Sequence, residues 1–170
     1  MKGTVVGLVM LVTALAQVTV APLFPTQGAV PELPLVALLL TTVFAGPGAV
    51  MYCLPVLILS LGFASDVGFE WLVFAYLPVL PAVAWIERHS GPLLGRYAQT
   101  LGIAVLLGLW VRMVFASVAF ASGADLAISS LVRTILIPGI LVDAGLLSFT
   151  YGVCRLLGWD ARSVSLQRVG

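Results

Sequence analysis

The side chains in this sequence with the most capacity for chemistry are three ionisable groups set inside apolar runs: Arg112, Arg133 and Asp143. Carrying a charge to mid-membrane depth costs roughly 2.5–3.5 kcal/mol on insertion scales, so each needs a partner, a polar cavity or a route to the interface. Asp143 stands near the middle of its run, beyond Pro138, and Arg112 lies well along the run before it. From helix rise, Arg112 is about 21 Å from the inner start of its span and Asp143 about 16 Å from the inner end of its own. A long arginine side chain can bridge that difference. Arg133 sits nearer the outer end of its helix, from where it can snorkel to the interface. Three readings of the Arg112–Asp143 pair stay open: a structural salt bridge between neighbouring helices, a substrate or ion site, or a polar contact with another membrane protein.

Other chemistry is hard to assemble. The single histidine, His89, lies in a polar stretch beside Glu87 and Arg88 and lacks the companions a metal ligand needs, so it is expected to be a solvated loop residue. Cys53 and Cys154 have neither a disulfide-framework nor a metal-site spacing and are expected to fill space as small apolar groups. No phosphate-binding glycine loop and no serine–histidine–acid set can be built. The expectation is a protein with no catalytic residues, no metal and no cofactor.

The elements that must position the charged groups follow from composition. Of 170 residues, 61% are hydrophobic and 9% charged, too apolar for a soluble fold of this size. The formal net charge of +1 gives no basis for a nucleic-acid partner; the expected surroundings are the lipid bilayer. Apolar runs lie near 4–21, 33–45, 49–63, 69–86, 97–120 and 128–154. They predict one all-α polytopic domain over 1–170, a compact bundle of about six transmembrane helices. The terminal stretch Trp159–Gly170 is too short to fold alone.

The gaps between runs are sorted by sign. One alternating set, both termini included, holds Lys2, Arg88, Arg96, Arg155, Arg162 and Arg168 with Glu87 and Asp160. The other holds Glu32, Asp66, Glu70 and Asp125 and no basic residue. Basic residues resist translocation, so the expected orientation puts both termini in the cytoplasm. The N-terminus also resembles a secretory signal, with Lys2, an apolar run from Val5 and Ala14-Leu15-Ala16 before Gln17. A first membrane helix is preferred because the run continues through Val18 to Ala21.

The second and third runs are short against the ~20 residues of a comfortable span. Joined by Gly46-Pro47-Gly48, they are either two short spans or a re-entrant hairpin; six spans are expected. In the fourth, Trp71 and Trp85 sit about 21 Å apart along a helix, suiting two interfacial belts. Pro78 and Pro81 should kink it. Ala104 and Gly108 in the fifth, and Ser148 and Gly152 in the sixth, make small-residue stripes that let helices approach closely.

The residues of the last span resemble the rod shape-determining protein MreD family: Arg133-Thr134-Ile135-Leu136-Ile137-Pro138, then Asp143, then Arg155-Leu156-Leu157. Family members similarly place a proline, a polar residue beyond it and a basic residue further on. Pro31-Glu32-Leu33 opens the second span like the family's Pro-acidic-Leu step, Gly46-Pro47 fills the following turn, and Gly62 to Asp66 resembles its Gly-x-x-x-Asp. Two features depart from the pattern: the family's polar residue is usually asparagine where this chain has Asp143, and Gly62–Asp66 sits further from Gly46-Pro47. The resemblance covers most of the chain in size and span layout. It implies a non-enzymatic scaffold of the bacterial cell-elongation machinery in the inner membrane. Its partner would be an MreC-like bitopic protein and, through it, the MreB filament, the RodA glycosyltransferase and a class B penicillin-binding transpeptidase. Arg133 and Arg155 would then be polar or interface residues.

A second resemblance belongs to another class. Substrate-binding subunits of energy-coupling-factor vitamin transporters are similar in size and six-span layout, and MreD-like proteins are thought to share that fold. This reading assigns the loop Pro22–Pro31, with Arg112 and Arg133, to a pocket for an anionic solute. Against it, the outer gaps are acidic and hold few aromatic or amide groups. The Ala-x-x-x-Ala step of those subunits' first helix is also missing; only Gly3 and Gly7 have that spacing. The scaffold reading is preferred.

Overall fold

The structure, a computed structural model, describes residues 2–23, 30–89, 93–123 and 131–157. Asp125, Asp160, Arg162, Arg168 and most of the Pro22–Pro31 loop lie outside the described residues, as do the side chains of Lys2 and Arg96. The described residues form helices and their connections, with no strand among them.

Leucine- and alanine-rich runs favour helix, and in lipid the helix is also the conformation that pairs every backbone group within one segment, which outweighs the weaker propensity of valine. The first helix, α1, spans Lys2–Thr19 and runs into a short 3-10 turn, Ala21–Leu23. Helix α2 (Leu33–Ala45) ends where Gly46 turns left-handed at φ 86°, its N–H bonded to the Thr41 carbonyl. A β-carbon would strain that conformation, and Pro47 immediately opens α3 (Pro47–Ala64). Helices α4 (Phe69–Tyr76) and α5 (Val79–His89) follow, then α6 (Leu93–Ala121). A π-helical stretch, Leu131–Leu136, leads into α7 (Ile137–Leu156). Pro138 sits two residues past that stretch. A proline crowds the carbonyl four residues back, and the wider π turn gives its ring room.

Four of these segments, Pro47–Ala64, Phe69–His89, Tyr97–Ala121 and Leu131–Leu156, are long and apolar enough to cross a membrane. With the shorter apolar helices α1 and α2 they give the expected count of six. Their outward surfaces fit that assignment, because Tyr52, Phe63, Leu106, Leu141 and Phe149 are all exposed. Water would penalise such a surface and lipid does not.

The short α2 is the centre of the bundle. Its 13 residues reach about 20 Å against a hydrocarbon core of about 30 Å, yet it packs against α1, α3, α5, α6 and α7. A helix wrapped by protein has no lipid thickness to match. Leu35, Leu38 and Leu39 from α2 meet Val50 and Leu57 of α3, Val79 of α5, Val111 of α6 and Leu147 of α7 in one continuous core.

Three details differ from the sequence expectation. The third span is not short: α3 runs 18 residues, so of the two runs read as short only α2 falls below spanning length. The proline pair does more than kink the fourth span, which divides at Leu77–Pro78 into α4 and α5. His89 is the last residue of α5 rather than part of a loop; its Nδ1 lies 3.0 Å from the Trp85 carbonyl and its ring stacks on the Trp85 indole.

Candidate functional site

Arg112 and Asp143 meet in the interior. Arg112 is carried by α6 and Asp143 by α7, two helices packed side by side, and both side chains are almost fully buried. Arg112 Nη1 donates to Asp143 Oδ2 at 2.5 Å, and Nη2 donates to the Val30 carbonyl at 3.1 Å. The other carboxylate oxygen, Oδ1, accepts the backbone N–H of Glu32 at 2.8 Å, from a residue 111 positions away. Each charge thus has the opposite charge and a backbone dipole as partners, the condition under which a buried pair is tolerated.

Two glycines make the room. A β-carbon at Gly139 would overlap the Arg112 guanidinium, lying 2.7 Å from Nη2 and nearer still to Nε and Cζ. A β-carbon at Gly108 would sit 3.5 Å from both Arg112 Nη1 and Asp143 Oδ2 and 3.7 Å from Leu35. The small-residue step Ala104/Gly108 therefore lies where α6 meets α2 and α7. The step in the last span serves differently: Gly152 faces open space, while Ser148 accepts the Tyr97 hydroxyl at 2.6 Å and donates to the Ala144 carbonyl. Tyr97 in turn stacks on Tyr151, which approaches Phe44 at the far end of α2.

The pair has a second layer that sequence reading missed. Glu32, expected in an aqueous gap, is buried at 9% exposure, and its Oε2 accepts the hydroxyl of Tyr76 from α4 at 3.1 Å. Gln17, near the end of α1, accepts the Leu33 N–H through Oε1 at 2.9 Å. Together Gln17 and Asp143 satisfy two of the N–H groups that open α2, the task usually left to a capping side chain. The only sequence signal was the Pro31-Glu32-Leu33 step, and nothing in it marks burial.

Burial pushes the Glu32 carboxyl, which lies just before the α2 span, up to about 7; Arg112 opposes this, Asp143 adds to it, and the Tyr76 hydroxyl opposes it. Between about 4.5 and about 7, the folded protein holds a proton that the unfolded chain has released. Stability should therefore fall as pH rises through that window. Thermal unfolding in detergent from about pH 5 to about pH 8 should show the midpoint dropping, with Glu32→Gln flattening the slope. A midpoint that rises, or a slope unchanged in Glu32→Gln, would count against this.

Beside this network lies a cleft of about 190 Å³ lined by Gln17, Glu32, Leu61, Ser65, Val67, Leu72, Tyr76 and Phe115. On another face, a wider apolar groove of about 490 Å³ runs between α1, α2 and α7, past Thr13, Thr41 and Thr150. Arg133 and Arg155 are both exposed, the first on the π-helical stretch and the second in the last turn of α7. The structure brings neither into the Arg112–Asp143 network. Cys53 and Cys154 are free thiols, and no cluster of metal-ligating side chains is found among the described residues.

Compared with known protein families, curated proteins and solved structures, the chain matches none.

Proposed function

We propose that this protein is a non-enzymatic membrane scaffold of the bacterial cell-elongation machinery. In this reading it is multi-pass in the inner membrane, has both termini in the cytoplasm, and binds an MreC-like bitopic partner. The observation that carries the proposal is where the resembling residues lie in space. Pro31-Glu32-Leu33 and the Pro138–Asp143 step are far apart in sequence, yet they meet at one hydrogen bond, Glu32 N–H to Asp143 Oδ1. An asparagine, the family's usual residue there, keeps a carbonyl oxygen able to accept the same bond. That gives the two motifs a shared physical purpose: closing the start of the central helix against the last one. The Arg112 and Asp143 charges are also consumed by contacts within the chain, which suits a rigid bundle that presents its lateral and loop surfaces to partners.

The anionic-solute reading finds less support, since Arg112 is held by Asp143 and Val30 and Arg133 stands apart on the surface. Depletion from a rod-shaped host should make cells round up. A tagged copy extracted in mild detergent should retain an MreC-like protein and, through it, the lateral peptidoglycan synthesis enzymes. Normal rods after depletion, with no such partner retained, would sink the scaffold reading.

A further inference from the structure

The cleft beside Glu32 has a chemical bias that the scaffold reading does not use. Its hydroxyl hydrogens are already committed: Ser65 donates to the Leu61 carbonyl at 2.7 Å and Tyr76 donates to Glu32 Oε2 at 3.1 Å. Each hydroxyl oxygen keeps a lone pair, and the Glu32 carboxylate keeps its remaining acceptor sites. Beyond those committed hydrogens, the donor group among the lining side chains is the Gln17 amide, whose oxygen is held by the Leu33 N–H. The nearby guanidinium is Arg112, whose Nη1 and Nη2 face Asp143 and Val30. Two acids therefore sit against one base at this end of α2. The rest of the wall is apolar, with Leu61, Val67 and Leu72, and it carries the ring of Phe115.

We infer that this cleft binds a small organic cation, an alkylammonium group whose N–H donors meet Glu32, Ser65 and Tyr76 while its hydrocarbon part lies against Leu61, Leu72 and Phe115. A volume of about 190 Å³ is below the ~300–1,000 Å³ of drug-sized ligand pockets and suits a molecule of a few heavy atoms. The ammonium completes acceptors that the protein leaves open and neutralises the second acid, which favours a cation over a neutral alcohol of the same shape. This inference does not depend on the scaffold reading.

The test uses the purified full-length protein in detergent at about pH 8, where Glu32 is ionised, with n-butylammonium chloride as the probe. Thermal unfolding should show a saturable rise in midpoint that butanol, butyrate and sodium chloride at matched ionic strength do not give. Glu32→Gln, which keeps an acceptor for Tyr76, should weaken the apparent affinity roughly tenfold or more. Ser65→Val, which leaves Glu32 in place, should weaken it by a smaller factor and gives the comparison should the first variant fail to fold. Gly152→Ala, facing open space elsewhere on the bundle, should leave it unchanged. A rise matched by butanol or by salt, or one untouched by substitution at Glu32 and at Ser65, overturns the inference.

Discussion

Asp143→Ala and Arg112→Ala are each expected to destabilise the folded bundle by on the order of 3–5 kcal/mol, because either change strands a buried charge beside its lost partner. The double substitution should recover part of this and not all. It removes both charges but leaves the Glu32 N–H without the Asp143 oxygen, a deficit of about 1–3 kcal/mol. Asp143→Asn separates the two tasks of this carboxylate. The amide oxygen can still accept the Glu32 N–H, while the charge that balances Arg112 is gone. The asparagine variant should therefore be less damaged than the alanine variant, and neutralising Arg112 beside it should restore most of the loss. A double-mutant cycle on thermal stability in detergent measures the coupling directly. A coupling energy near zero would show that the two charges do not depend on each other, and the account of the buried site would fail.

Gly139→Ala is the second change with a large expected effect, although it adds a single methyl. That methyl would occupy the space of the Arg112 guanidinium, so the arginine must swing away from Asp143 or the helices must part. Overpacking of this kind costs about 1–3 kcal/mol, and here it also disturbs the ion pair. Two controls make the cause visible. Gly145→Ala, on the same helix but with nothing near its β-position, should be neutral or slightly stabilising. In an Arg112→Ala background, Gly139→Ala should cost little, since the group it collides with is gone. Equal cost in both backgrounds would place the damage in helix packing and not in the guanidinium.

The sequence alone determined that this chain is helical, with segments long and apolar enough to cross a membrane, and roughly where its helices run. Apolar runs of near-spanning length admit few other structures, because lipid offers no partner to an open backbone. It also brought Arg112 and Asp143 to similar depths, since helix rise converts position in a span into depth and a charge in an apolar run calls for a partner. Sequence spacing carries no information about which way a helix is turned or which neighbours it touches, and there the tertiary structure decided. The acidic residue of the Pro31-Glu32-Leu33 step looks like a loop residue until α2 is placed at the centre of the bundle, where its backbone N–H donates to Asp143 and its carboxyl accepts the Tyr76 hydroxyl. Gly139 looks like a helix weakness until the guanidinium of another helix fills the space it leaves. The shortness of α2 looked like a fault in the span count and is instead a consequence of its position, because a helix enclosed by five others is solvated by protein and not by lipid. Each of these outcomes depends on distances between segments remote in sequence, and no local pattern fixes such a distance.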